Sequence, residues 1–352
     1  MANYEAQVCV IAGGPSGLAA AVQAAEDGAS VIVLEKAAAV GGAANMGMGP
    51  LGIGTRYQRQ NMQDITVEQA FNMFMEYTHY NVDARLVKRY FAQSADTIEW
   101  LEDMGVEFEG AFRYFPQSLP TWHIVKTDAG IGPRAASFMN KALYARAQEL
   151  GVKFLLETPG KKILKENGKV VGVLATDKFG NEVKISCKAA IICTGGAGCN
   201  FELIKRETGF THGVDMFNFA IPGIMGDGLR MAWEAGADKL PVRIEQSAAI
   251  VGIDDLPGSV GNIMGQPNLL VNLKGKRFMN EDQMQNTTFL SNAVSHQPGR
   301  MGISIIDSSI AKYYMKNGVD NVSLVRPNPD VSDFAEGIKM AKENGNEGLF
   351  IG

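Results

Sequence analysis

Residues 8 to 36 leave this chain little freedom in how it folds. The apolar run Val8-Cys9-Val10-Ile11 enters the turn Ala12-Gly13-Gly14-Pro15-Ser16-Gly17, and an alanine-rich stretch of helical character follows. A second apolar run, Val31-Ile32-Val33-Leu34, then ends on Glu35. Strand, glycine turn, helix, strand and acid in that order make the βαβ unit that binds a dinucleotide. Gly14 lets the backbone approach a pyrophosphate, and Gly17 lets the helix pack on the strand. The helix N-terminus, opened by Pro15 and Ser16, brings N–H donors and partial positive charge to the phosphates. Glu35 can accept hydrogen bonds from a ribose diol, and Lys36 stands next to it. One position departs from G-x-G-x-x-G, since the first glycine is Ala12. A Cβ there is expected to require a negative φ and a slightly altered turn.

Directly after the acid, Val40-Gly41-Gly42-Ala43-Ala44-Asn45-Met46-Gly47-Met48-Gly49 forms a second glycine-dense loop. A chain that threads past a long, flat cofactor needs backbone without side chains, so FAD fits better than NAD. In these loops the chain resembles the flavoprotein family of fumarate reductases, succinate dehydrogenases, aspartate oxidases and flavocytochrome-type reductases. The resemblance implies that the first loop holds the pyrophosphate and the second lies along the ribityl chain and flavin ring, with Met46 and Met48 at the flavin edge. It also implies non-covalent FAD. Relatives that tether the flavin use a histidine where this chain has Ala43-Ala44-Asn45.

With 352 residues, 46% of them apolar, the chain can build two substantial cores. The expected fold is α/β: a Rossmann-like FAD-binding domain of the glutathione-reductase type over 1–239, with a helical insert at about 60–125, and an α+β capping domain over 240–352. A net charge of -5 with interspersed signs argues against a nucleic-acid surface. Cys9, Cys187, Cys193 and Cys199 show no C-x-x-C spacing, which argues against c-type haem, an iron–sulfur cluster and a disulfide framework. No metal-ligand spacing emerges. The first strand starts almost at Met1 and no apolar run is long enough to span a bilayer, so a cytoplasmic protein with no transmembrane segment is expected.

Apolar residues at three- and four-residue spacing predict helices over Val67–Tyr77 and Ala84–Leu101, with Leu86, Val87, Tyr90, Phe91, Ile98, Trp100 and Leu101 as core. A further amphipathic helix is expected over 135–150, burying Phe138, Leu143 and Leu150. Val152–Leu156 reads as a strand, Gly168–Thr176 and Val183–Ser186 as a hairpin-like pair, and Ala189–Cys193 as a buried strand delivering Thr194-Gly195-Gly196. The resemblance places that turn against the dinucleotide, Thr158-Pro159-Gly160 at the adenine, and Gly226-Asp227-Gly228 near the cofactor. Leu269–Glu281 reads as a strand, a turn and a strand of the cap.

What the family's dicarboxylate chemistry would need is missing. Relatives bind fumarate with histidine and arginine and deliver a proton from an arginine. Here their histidine-proline-threonine element corresponds to Glu245-Gln246-Ser247-Ala248-Ala249-Ile250, with Ala248 in place of the histidine. Met264 matches a substrate arginine, and no arginine lies between Gln285 and Thr287. An unpaired carboxylate in a dry pocket costs on the order of several kcal/mol, so a less charged substrate is expected. His123 is the candidate catalytic residue, although a histidine beside Trp122 is more often structural. Arg277 reads as a fold-supporting ion pair, His79 as helix surface, and Met46, Met48, Met62, Met73 and Met75 chiefly as packing. The family's last glycine-rich segment, of the A-A-G-E type, has no counterpart before Gly352, so a truncated product, a fragment or a divergent form is expected. The leading expectation is an FAD-dependent oxidoreductase that exchanges hydride between flavin N5 and a carbonyl-activated C–C or C=C unit of a small substrate, served by a separate electron donor or acceptor. The alternative is a non-catalytic or partner-dependent flavoprotein subunit.

Overall fold

Parallel pairing of the two apolar runs, Val8↔Val31 through Ile11↔Leu34, organises the first part of the molecule. The computed structural model describes residues 2–217, 221–242, 244, 247–248, 250, 252, 255–324 and 328–345. It divides into two units, one of residues 1–112, 119–211 and 218–242, the other of residues 113–118, 212–217 and 243–352.

The first unit opens with β1 (Ala2–Glu5) and β2 (Val8–Ile11), turns into α1 (Pro15–Glu26) and returns as β3 (Val31–Leu34). The insert follows as α2 (Arg56–Gln60), α3 (Val67–Tyr77), α4 (Ala84–Asp103), β4 (Phe108–Phe112) and β5 (Trp122–Val125). Capping side chains set the starts of its helices: Thr66 and Gln69 form a capping box on α3, and Asp83 accepts from the N–H groups of Arg85 and Leu86 on α4. Next come α5 (Ala136–Glu149), β6 (Lys153–Leu155), β7 (Gly160–Glu166), β8 (Lys169–Thr176), β9 (Glu182–Ser186), β10 (Ala189–Ile192), α6 (Phe201–Thr208) and α7 (Asp227–Glu234). One sheet runs β10-β2-β3-β6 with every pairing parallel, and the other runs β1-β9-β8-β7.

Side chains alternate across a strand, so β2 and β3 feed two cores. Val10 and Val33 pack with Leu18 and Val22 of α1 and Leu143 and Ala147 of α5. Cys9, Ile11, Ile32 and Leu34 pack with Val173, Ala175, Val183 and Ile185 of the second sheet. Strands covered on both faces read as uninterrupted apolar runs, as these do. The architecture is the Rossmann-like α/β fold the sequence implied.

Several local expectations change. Leu86 and Tyr90 are 68% and 51% exposed, because the buried stripe of α4 is Phe91, Ser94, Ile98 and Leu101. Ser94 can occupy an apolar position because its hydroxyl accepts the Ile53 N–H and donates to the Phe91 carbonyl. Phe138 is likewise exposed, since α5 buries Ala136, Met139, Asn140, Leu143 and Ala147 instead. Of the methionine strip read from the sequence, Met46, Met62 and Met73 are exposed, and Met48 and Met75 are buried. His79 lies in the turn beyond α3 at φ 51°. β10 is half-buried because it is an edge strand, and β7 extends the expected hairpin into a sheet.

In the second unit, α8 (Gly258–Met264), α10 (Ile310–Asn317) and α11 (Phe334–Asn344) contribute Val260, Ile263, Tyr314 and Phe334 to one core. β11 (Leu269–Val271) pairs with β12 (Ile303–Ile305), and α9 (Thr287–Ser295) lies between them in sequence. The expected strand-turn-strand over Leu269–Glu281 is therefore half right. Asn272 closes the turn by accepting from the N–H groups of Lys274 and Lys276, but Arg277 reaches Val271 only as an isolated bridge. Arg277 instead pairs with buried Glu281, which also accepts the Leu270 N–H, so the fold-supporting reading of Arg277 agrees with the structure. Arg277 holds the Glu281 carboxyl below its usual range. A depressed carboxyl contributes stability above its unfolded value of about 4.3 and loses it as pH falls. Arg277→Met should accordingly lower the melting temperature at pH 7 by a few degrees and much less at pH 3.5. Equal melting of the two proteins at pH 7 would refute this.

Candidate cofactor site

The first glycine turn corrects one expectation outright. Ala12 adopts φ +88°, the left-handed region the sequence reading excluded for a residue with a Cβ. Its N–H extends the strand ladder to the Leu34 carbonyl at 2.7 Å, and its own carbonyl sits under α1, against Gly17. Reversing the chain between those two constraints takes a positive φ, which an L-residue adopts at a cost of about 1–2 kcal/mol. Ala12→Gly is therefore expected to raise the melting temperature despite adding backbone entropy to the unfolded chain, worth about 0.4–1 kcal/mol. A lower melting temperature for the variant would show that the turn holds no such strain.

Gly13 and Gly14 divide the labour of the turn. A Cβ on Gly13 would lie 3.0 Å from Val40 Cγ1, whereas one on Gly14 would meet nothing within 4 Å. No side chain caps the N-terminus of α1, where Gly14 is the N-cap and Pro15 follows. Open space over bare helix N–H groups suits a pyrophosphate. Gly195, at φ +70°, and Gly196 also face open space. The second loop begins at the same place: the Gly41 N–H donates to the Gly13 carbonyl at 2.7 Å, and a Cβ on Gly42 would come within 3.4 Å of Gly14 Cα. Gly41 at φ +106° and Gly42 at φ +52° require glycine conformations here.

Glu35 does more than wait for a ribose. It is 9% exposed, its Oε2 accepts the Gly13 N–H at 2.7 Å and its Oε1 the Ala37 N–H at 2.6 Å. Each oxygen retains capacity for another donor. Lys36 forms an ion pair with Asp227 at 3.1 Å and donates to the Gly223 carbonyl at 3.0 Å. Thr194 Oγ1 accepts the Gly228 N–H at 3.1 Å, and Gly226 N–H reaches the Gly196 carbonyl at the same distance. The structure thus links both glycine loops, Glu35-Lys36, Thr194–Gly196 and Asp227 within one unit. Gly160 has a separate explanation: a Cβ there would lie 2.8 Å from Ile11 Cγ2, so packing requires that glycine.

The continuation of the second loop lies along β5. Val125 N–H donates to the Met48 carbonyl, His123 N–H to Pro50 and Gly52 N–H to Thr121, each at 2.9 Å, and Trp122 Nε1 donates to the Gly49 carbonyl at 3.0 Å. On the other side, Ala136 N–H donates to the Gly47 carbonyl, and Asn140 on α5 donates to the Gly41 carbonyl and to Asn45 Oδ1. Ala43 is exposed and Ala44 half-buried within the short 3-10 turn Gly42–Met46. Sequence reasoning missed Asn140, although a polar residue inside an apolar helix stripe was the available signal.

His123, the expected catalytic residue, is fully enclosed, with Nε2 2.7 Å from Thr55 Oγ1 and Nδ1 3.1 Å from the Thr121 carbonyl. Tyr57 and Phe108 pack edge-on against its ring. Burial pushes its pKa down, against smaller opposing effects of the Thr121 carbonyl and Glu102. Enclosed by protein groups on every side the structure describes, the ring favours the structural reading over the catalytic one. In the second unit, Met264 ends α8 and Thr287 begins α9. Glu245, Gln246 and Ala249 lie outside the described residues. Among the described residues no cluster of three or more His, Cys, Asp or Glu could hold a metal, and no helix is long and apolar enough to cross a membrane.

The model of the FAD binding domain family matches residues 7–333. The chain belongs to this FAD binding domain family. FAD is accordingly its cofactor. The chain is 29% identical over 329 residues to a vinyl phenol reductase of Lactiplantibacillus plantarum, covering 90% of this chain and 65% of the relative. It covers 53% and 56% of two further curated relatives, so it spans between about half and two thirds of their length. The open conformation of a flavocytochrome c3 fumarate reductase matches at TM-score 0.68 and 26% identity, covering 90% of this chain and 55% of that one. A 3-ketosteroid-delta4-(5alpha)-dehydrogenase from Rhodococcus jostii matches at TM-score 0.73 and 23% identity, covering 89% and 68%, a likeness of fold alone. The resemblance to flavocytochrome-type reductases read from the sequence is the relationship these comparisons return.

Proposed function

We propose that the chain is the FAD-binding part of an oxidoreductase that exchanges hydride between the cofactor and a carbonyl-activated or conjugated C–C or C=C unit of a small substrate other than a dicarboxylate. The meeting of two glycine loops at Gly13–Gly14 and Gly41–Gly42, with open space over the helix N-terminus, carries the reading. When bound, FAD supplies the redox chemistry. The protein's part is to bind and orient it. Gly14, Pro15, Ser16 and Gly17 present the first turn of α1 to the pyrophosphate. Glu35 takes the ribose on its remaining acceptor capacity, and Gly41, Gly42, Ala43, Gly47, Met48 and Gly49 follow the rest of the cofactor. Thr194, Gly195, Gly196 and the Lys36–Asp227 pair close the other side. The names of the relatives, a vinyl phenol reductase and a fumarate reductase, support a reductase acting on an alkene, and Ala248 and Met264 in place of cationic residues favour the uncharged end of that range.

The same proposal includes residues 1–239 as the FAD domain and 240–352 as a cap, a separate electron donor or acceptor, a partner subunit if that donor is a protein, and a cytoplasmic location. The test is a visible spectrum of purified protein loaded with FAD. Bound flavin absorbs near ~450 nm, and the chemically reduced protein should be reoxidised by a vinyl phenol or another uncharged conjugated alkene and not by fumarate. Reoxidation by fumarate alone would overturn the substrate class. With Ala43-Ala44-Asn45 offering no histidine for attachment, acid precipitation should leave all yellow colour in the supernatant. Colour retained in the pellet would overturn non-covalent binding.

A further inference from the structure

His123 is a buried titratable group near the site that the proposed function does not use. We propose that His123, with Thr55 and Gln58, is a positioning residue that sets the course of the second glycine loop beside the cofactor. This rests on the reading that FAD occupies the junction of the two loops. Glu35 marks the ribose end and Gly14 the pyrophosphate. The loop that leaves Gly14 through Gly41 and Gly42 therefore runs along the cofactor's other half.

The insert forms the back wall of that loop. A Cβ on Gly49 would run into the His123 carbonyl, and one on Gly52 would sit 2.7 Å from His123 Cε1, so glycine backbone and imidazole share one space. The Thr121 carbonyl can only accept, which puts the proton on Nδ1 and leaves Nε2 to accept from the Thr55 hydroxyl. Thr55 starts α2, and its N–H donates to Gln58 Oε1 at 3.0 Å. Gln58 Nε2 donates to the Gly52 carbonyl at 2.9 Å and the Pro120 carbonyl at 2.8 Å. Thr55, Gln58 and His123 are each at most 2% exposed. A closed network of this kind fixes geometry because each member is costly to leave unpaired. The loop between Met48 and Thr55 is thus pinned at its backbone by β5 and at its end by one imidazole whose burial favours the neutral form, with Tyr57, Phe108 and Glu102 as its surroundings.

Thr55→Val removes the hydroxyl at constant shape, Thr55→Ser keeps it, and His123→Phe removes both ring nitrogens. FAD titration by fluorescence, well below each melting temperature, should show at least tenfold weaker binding for Thr55→Val and His123→Phe, a shifted flavin band, and near wild-type behaviour for Thr55→Ser. Folded variants that bind FAD with the wild-type Kd and spectrum would reduce the network to a purely structural role and overturn the proposal. If both variants fail to fold, hydrogen exchange on the unmutated chain decides. Added FAD should slow exchange at the Gly52, His123 and Val125 amides, and no change there overturns the proposal. Failure of the unmutated chain to bind FAD would instead sink the cofactor reading beneath it.

Discussion

Gly14→Val is expected to abolish FAD binding with little change in the melting temperature of the cofactor-free protein, while Gly17→Ala should do the reverse of a mild substitution and disrupt the fold. Two glycines three residues apart in one turn have different reasons to be glycine. At Gly14 the backbone is extended, at φ -70° and ψ 179°, and a side chain would enter empty space, so the chain itself tolerates it. The pyrophosphate would not. A clash above about 3 kcal/mol corresponds to more than about 100-fold in Kd. At Gly17 a Cβ would run into the Ala12 carbonyl and approach Cys193 Cβ at 3.3 Å. Backbone cannot step aside as a flexible side chain can. α1 would have to lift from the sheet, taking the fully buried Leu18, Ala21 and Val22 with it, at a cost above the ~1–3 kcal/mol of ordinary overpacking. Thermal melts and FAD titrations on both variants check the pair, and wild-type affinity in folded Gly14→Val would remove the phosphate from this loop.

Glu35→Gln should lower FAD affinity and stability together. Volume is conserved, but one carboxylate oxygen becomes an NH2 group facing either the Gly13 or the Ala37 N–H, both of which it now satisfies. Leaving a buried N–H unpaired costs about 1–3 kcal/mol. Because one of those N–H groups belongs to the first glycine turn, the loss reaches the phosphate cradle before any ribose is considered. If affinity fell while the melting curve stayed unchanged, Glu35 would act on the ligand alone and its role as a strut would be wrong.

What could be read in the sequence was whatever depends on local spacing. The βαβ unit was legible because β2 and β3 are buried on both faces, and α3 and α4 because apolar residues recur there at three- and four-residue spacing. Exposure along those helices was less legible. Leu86 and Tyr90 have the right spacing for a core, yet the stripe passes through Ser94, whose partner Ile53 lies 41 positions away. Ala12 was misjudged because sequence shows only the presence of a Cβ. The need for positive φ comes from two attachments, to Leu34 and beneath Gly17, that exist only once the strands have paired. His123 and Asn140 show the same limit at the site: each holds a loop far from it in sequence, and residue type alone does not distinguish a brace from a catalyst.

The order of strands in the parallel sheet has a consequence for synthesis. β2 pairs on one side with β3, about one helix away, and on the other with β10, whose Ala189 sits opposite Val8. A chain emerging from the ribosome therefore carries one edge of β2 unpaired through the making of the whole insert, α5 and the second sheet. Contacts of such long sequence separation form slowly. Thr194, Gly195 and Gly196 follow β10 directly, so the far wall of the cofactor cradle arrives with the strand that closes the sheet. On the proposed reading, cofactor capture waits for completion of the parallel sheet, and a nascent chain ending before residue 189 presents a glycine turn with nothing opposite it.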